Sequence, residues 1–171
     1  MRGTLKSAAA LAAGALAPFA SSAQDAPSLP SDETLVESVA DRFFETLRGE
    51  GNATLDEIMH PDGVIMVSNR MDPANPRLVT LTNAAYMASF KERAAPFTEL
   101  MHYEALWVRD GVAQLWGPYR VIRDGKTTHC GINSMSFVEV EEGNWRLGNT
   151  SFTMLATDQC GNVGAPPEPV K

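Results

Sequence analysis

The chain is poor in the residues on which several kinds of chemistry depend. It holds 3 histidines and 2 cysteines in 171 residues. His60, His102 and His129 are scattered without paired spacing, and neither Cys130 nor Cys160 stands at zinc-ligand spacing, so the sequence carries no metal motif. A Gly-rich phosphate loop, a nucleophile elbow and a C-x-x-C pair are all missing. Positive charge is scarce: 14 Lys and Arg against 21 Asp and Glu give a net charge of -7. Such a surface repels phosphate backbones, which argues against a nucleic-acid partner, and it offers no general attraction to anionic membranes. No apolar run reaches the length of a membrane span, and no internal repeat is present.

What is present is an ordinary globular composition, 44% hydrophobic and 20% charged, enough for one domain with a buried core. The first stretch stands apart. Arg2 and Lys6 precede an apolar run, Ala8–Leu16, then Pro18 and the small residues Ser21-Ser22-Ala23. That order reads as a cleavable secretory leader over 1–23. Its two positive charges leave with it, taking the net charge from -7 to -9. The protein is therefore expected in the periplasm or outside the cell. Residues 24–30 read as a linker, 31–156 as the folded domain, and the Gly- and Pro-containing 157–171 as a disordered tail. In an oxidising compartment Cys130 and Cys160 can form a disulfide worth about 3 kcal/mol. A buried free Cys130 with a loose Cys160 is the other reading, and spacing leaves both open.

The first half is helical. Leu35, Val39, Phe43 and Leu47 recur at every fourth position, an apolar stripe of helical period. Ser31 suits its N-cap, and Gly49 and Gly51 its end. Thr54-Leu55-Asp56-Glu57 is a capping box for a short second helix stopped by Pro61. Val64-Ile65-Met66-Val67 reads as a strand. A loop with Pro73 and Pro76 follows, and Thr82 caps a third helix carrying Tyr86, Met87 and Phe90. The second half is four strand-like runs, Thr98–Arg109, Val112–Arg123, Lys126–Glu141 and Asn144–Leu155. They are joined at Asp110-Gly111, Asp124-Gly125 and Glu142-Gly143, tight hairpin signals. Helices first and strands later predict an α+β fold: a curved antiparallel sheet, made of a four-strand meander plus the N-terminal strand, packed against two to three helices.

This order resembles the nuclear transport factor 2-like superfamily. His60-Pro61-Asp62-Gly63 is similar to the opening found before the first strand in many members. Trp116-Gly117-Pro118-Tyr119-Arg120, Asp124-Gly125-Lys126, His129-Cys130-Gly131 and Asn144-Trp145-Arg146-Leu147 resemble exported bacterial members of the SnoaL-like and lumazine-binding-type branches. The resemblance spans about Asp32–Met154. It implies a cone with a pocket inside the curved sheet, frequent homodimers, and either ligand binding or cofactor-free isomerase, dehydratase or cyclase chemistry. It leaves the activity open. Ketosteroid isomerase carries a Tyr on the first helix and an Asp at the end of the first strand. The corresponding regions here offer Phe43, Phe44, Val67 and Ser68.

Two-residue hairpin loops give a map of faces. Trp116 is predicted opposite Ala105 and Asn133, and Arg120 opposite Met101 and His129. One face then collects Tyr103, Trp107, Gln114, Trp116, Arg120, His129 and Asn133. The other collects Leu115, Tyr119, Val121, Cys130 and Ile132. Val138, Val140, Trp145 and Leu147 are expected in the core. A bulge near Ser134-Met135-Ser136 reconciles that core with a His129 face turned inward; a regular strand would turn the His129 face outward, as a dimer surface. His129 is the first candidate for a proton acceptor, with a structural strand histidine as the plainer alternative. Asn133 and Tyr119 are candidates to polarise a substrate oxygen. Trp116, Arg120 and Tyr103, with His60 and Asp62 at the cone mouth, complete the expected ligand site. The expected partner is a small apolar or aromatic molecule, with no cofactor. A cofactor-free enzyme using His129 as base and a non-catalytic dimerisation module are the alternatives.

Overall fold

The computed structural model of the chain describes residues 30–93 and 95–169, so the leader and nearly all of the linker lie outside the described residues. Helix α1, Asp32–Arg48, begins where Ser31 Oγ accepts from the Thr34 amide, and it ends at Gly49, whose φ of 73° lets its N–H reach the carbonyls of Glu45 and Thr46. Its stripe Val36, Val39, Ala40, Phe43, Phe44 and Leu47 is buried, each large side chain contributing roughly 1.5–3 kcal/mol relative to exposure. Helix α2, Leu55–Ile58, starts at the expected capping box, the Glu57 carboxylate accepting from the Thr54 amide at 2.8 Å. Helix α3, Asn83–Lys91, starts at Thr82, whose hydroxyl accepts from the Ala85 amide.

Seven strands make one curved sheet: β1 Val64–Arg70, β2 Arg77–Thr82, β3 Thr98–Met101, β4 Ala105–Arg109, β5 Val112–Arg123, β6 Lys126–Glu141 and β7 Asn144–Leu155. Their order is β2-β1-β7-β6-β5-β3, with β4 also paired to β5. The fold is α+β as expected, with two additions. The loop after β1 contains a sixth pairing element, β2, which lies antiparallel to β1. The sheet is also not antiparallel throughout, because β1 joins β7 in parallel.

The turns at Asp110-Gly111 and Asp124-Gly125 have both residues at positive φ, 49° and 78°, then 50° and 71°, as a tight two-residue hairpin requires. The first expected run is nevertheless broken into β3 and β4. At His102–Glu104 the chain folds over β5, with the His102 amide bonded to Pro118 O and the Glu104 amide to Trp116 O. Gly117 makes this approach feasible: a Cβ there would lie 1.8 Å from the His102 carbonyl oxygen.

The break moves the register by one. Ala105 pairs with Trp116 as expected, but Leu100, not Met101, pairs with Arg120. A bulge at Thr128 makes a second one-residue shift, so Val121 pairs with His129 and Arg120 with Cys130. The phase change thus lies six or more residues before the expected Ser134–Ser136 bulge, and β6 runs regularly against β5 there. A further irregularity opposite Ser136 and Phe137 places the extra residue, Gly148, on β7. Trp145 and Leu147 are in the core as expected, whereas Val140 is 40% exposed and Val138 only half-buried; Asn133, Met135 and Phe137 take the inward positions.

Residues 157–169 do not form a loose end. A 3-10 turn, Thr157–Gln159, leads into Cys160, which is disulfide-bonded to Cys130. Arg120 then holds the segment against the sheet by donating to Pro166 O and to Thr127 Oγ1, with the Glu168 carboxylate 3.8 Å away.

Candidate functional site

The two register shifts decide which side chains meet. On the concave side, Glu99, Val121 and His129 form one cross-strand row, and Met101, Tyr119 and Gly131 form the next. From these rows Glu99, Val121, His129 and Tyr119, with Phe43 of α1, Val67 of β1, Tyr86 of α3 and Phe152 of β7, line a cavity of about 260 Å³. That is just below the usual range for ligand pockets, about 300–1,000 Å³. Its walls are chiefly apolar. Tyr119 stands edge-on to both His129 and Phe152, with ring centroids 5.8 and 5.7 Å apart.

The polar groups in this cavity are few. Asn133, 2% exposed, donates through Nδ2 to Glu99 Oε1 at 3.1 Å. Its Oδ1 is buried and has no hydrogen-bond partner among the described residues, a costly arrangement for an acceptor inside a protein. Glu99 is half-buried and lines the cavity, and loss of solvent around its carboxyl pushes it up to about 7, with the Asn133 bond opposing that rise. Burial, aided by the positive charge of Arg123, pushes His129 down to about 4. At neutral pH the imidazole is therefore uncharged, with Nδ1 3.0 Å from Thr128 Oγ1. The Tyr119 hydroxyl donates to Thr153 O at 2.8 Å, and burial, then Glu99, raises it. Burial likewise raises Tyr86, to about 12. Of these groups, Glu99 is the one poised to gain or lose a proton near pH 7.

His129, Asn133 and Tyr119 line one cavity, although the predicted face map set Tyr119 on the opposite side of the sheet, and Glu99, which the sequence reading missed, joins them. The expected ligand-binding residues do not line the cavity. Trp116 and Arg120 face the convex side because the shift at Thr128 puts Ser134 and Cys130 opposite them. Arg120 there grips the C-terminal segment. Tyr103 lies near the sheet edge and donates to Asp41 Oδ1 at 2.6 Å.

His60 and Asp62 belong to a structural corner: the Asp62 amide donates to His60 Nδ1, and buried Asn83 donates to His60 O at 2.8 Å and Gly148 O at 2.7 Å. Gly63 is forced in that corner, since a Cβ would lie 1.7 Å from Gly148 O. Among the described residues no group of His, Cys, Asp and Glu is arranged to hold a metal ion, and no helix is long and apolar enough to cross a membrane.

A curved α+β sheet closed over a small cavity by an N-terminal helix defines the class. The fold is that of the nuclear transport factor 2-like proteins, a cone-shaped sheet. No family model and no curated protein matches the sequence. Solved structures do match. An NTF2-like protein with a cystatin-like fold from Novosphingobium aromaticivorans is 14% identical, over 72% of this chain and 81% of that one, with a TM-score of 0.55. An NTF2-like protein from Cytophaga hutchinsonii is 9% identical over 73% and 99%, with a TM-score of 0.55. The CaMKII hub of S. rosetta is 14% identical over 74% and 99%, with a TM-score of 0.54. At these identities the likeness establishes the fold and leaves the function to the site.

Proposed function

We propose that this chain is an exported protein that binds one small, largely apolar molecule in the cavity of its curved sheet. The observation that carries the reading is the Glu99–Asn133 pair set in apolar walls, with Asn133 Oδ1 lacking a donor among the described residues. A ligand hydroxyl or N–H placed there satisfies the orphan acceptor, and the aromatic edges of Tyr119 and Phe152 supply the contact area. Export through the leader 1–23 is part of the same proposal, and the Cys130–Cys160 disulfide supports it because such bonds persist in oxidising compartments. So is a homodimer built on the convex face, where Trp107 is 62% and Val112 55% exposed.

Native mass spectrometry of protein recovered from the periplasm tests all three parts. The expected spectrum shows a chain beginning at Gln24, a dimer, and one small-molecule adduct per chain. Adduct-free protein, together with failure of any small aromatic compound to bind, contradicts the binding reading.

A second reading has its own observation. A carboxyl brought to about 7 inside a ligand cavity suits proton abstraction without a cofactor. Glu99, rather than His129, is then the base, and Tyr119 or Asn133 lies beside it to polarise an oxygen. Glu99→Gln separates the two readings. A binder keeps its ligand unchanged, whereas an enzyme accumulates unconverted substrate.

A further inference from the structure

The rim of the cavity carries two arginines, Arg93 and Arg123, that make no ion pair among the described residues. The guanidinium of Arg93 lies over three rings, with its carbon 5.1 Å from the centroid of Tyr86, 5.2 Å from Phe90 and 5.2 Å from Phe97. The guanidinium of Arg123 lies 4.9 Å from the centroid of the same Phe97 ring. Both arginines line the apolar cavity. Both also line an outer depression of about 230 Å³ with Ala95, Pro96 and Asp124, so the two hollows share a doorway. Among the described residues neither guanidinium makes an ion pair, although the chain as a whole carries a net charge of -7.

Two like charges held against one aromatic ring repel each other, and ring quadrupoles offset that cost only in part. An anion seated between them would remove the repulsion and gain charge-assisted hydrogen bonds from two planar donors. Inside, the chemistry is opposite: Glu99 and the apolar walls disfavour a buried negative charge. The ligand's charge therefore belongs at the doorway and its apolar body within. Asp124 beside the doorway sets a limit, because a doubly charged phosphate would meet its carboxylate at close range.

From this we infer that the cavity selects a small aromatic or alicyclic monocarboxylate, its ring system among Val67, Val121, Tyr119 and Phe152 and its carboxylate between Arg93 and Arg123. This rests on the reading of the cavity as a ligand site.

The test is isothermal titration of the full mature protein with two probes of equal shape, 2-naphthoate and 2-naphthamide. The expected result is at least about tenfold tighter binding of the carboxylate, weakened by added salt. Arg123→Gln, at an exposed position, removes most of that preference and leaves the amide affinity within about twofold. Arg123→Lys keeps part of the preference, and Arg93→Gln repeats the loss. Equal binding of the two probes, or a preference that survives both glutamine variants, overturns the carboxylate assignment while the pocket itself stands. Binding of neither probe overturns both. Unchanged thermal unfolding of Arg123→Gln shows that the loss does not come from misfolding.

Discussion

Asn133 Nδ2 on β6 donates to Glu99 Oε1 on β3 at 3.1 Å, reaching across β5, the strand that separates them. The bond favours the ionised carboxylate, yet burial outweighs it, and the acid sits at about 7. Two strands along the same cross-strand row, His129 is driven the other way, to about 4. The cavity therefore holds an acid and a base that are both largely uncharged just below neutrality, although neither pairs with the other.

Opposite pH slopes follow. Between its ordinary value of 4.5 and about 7, Glu99 keeps a proton in the folded chain that the unfolded chain has released, so this group makes stability fall as pH rises through that window. Between about 4 and its ordinary 6.5, His129 lacks a proton that the unfolded chain holds, so this group makes stability rise with pH. The two effects, each up to about 3 kcal/mol, oppose one another between pH 4.5 and 6.5. Urea unfolding across that range should show little slope from this pair in the parent protein. Glu99→Gln should gain stability with rising pH relative to the parent, and His129→Gln should lose it. Shifts of the same sign in both variants contradict the assignment.

Reduction of Cys130–Cys160, or Cys160→Ser, should cost about 3 kcal/mol in denaturant unfolding. The bond closes a sequence separation of 30 and holds the segment that Arg120 grips. The same treatment should raise proteolytic cleavage after residue 160, measured by mass spectrometry, while cleavage within β5 and β6 stays slow. Uniform cleavage along the chain would show that the bond supports the whole domain instead.

At the corner before β1, Asn83→Ala removes the buried side-chain donor to the carbonyls of His60 and Gly148 and should destabilise by about 2 kcal/mol. His60→Ala should change ligand affinity by less than about twofold, because His60 does not line the cavity. A large affinity loss in His60→Ala with unchanged stability would return that residue to the binding site.

Gly117→Ala puts a methyl group 1.8 Å from His102 O. The chain between β3 and β4 must then move, at a cost of about 3 kcal/mol. Because the break there sets the register that turns Glu99 inward, the variant should also lower ligand affinity by titration. Full affinity in a stable Gly117→Ala protein would show that the register does not depend on this contact.

The helices were legible because their signals are local. Ser31, Thr54 and Thr82 each mark a start, and the four-residue spacing of α1 names its buried face. The hairpins were legible for the same reason, Asp-Gly being explicit at two turns. Faces were harder. Sheet geometry turns every side chain over when the register slips by one, and two of the slips, at His102–Glu104 and at Thr128, fall among the predicted site residues. Thr128 carries no Gly or Pro to announce a bulge. Trp116 and Arg120 were therefore grouped with His129 and Asn133, and Tyr119 and Val121 were separated from them.

Glu99 escaped notice because a carboxylate at the start of a strand reads as solvent-facing. The available signal was Gly117, a glycine inside an aromatic strand, which marks a close backbone approach and hence a change of phase. β2 was hidden between Pro73, Pro76 and the cap at Thr82, its six residues being nearly all exposed and without the alternation that marks a half-buried strand.

The most direct test of the central claim is protein-observed NMR with small aromatic fragments, following the methyl groups of Val67, Leu81, Val121 and Met154. These four residues line the cavity. The account predicts that binding fragments shift this set together, while the Trp107 and Trp116 indole signals on the convex face stay in place. Fragments that shift the convex-face indoles and leave the four methyl-bearing residues untouched, or a full fragment set that shifts none of them, would contradict it.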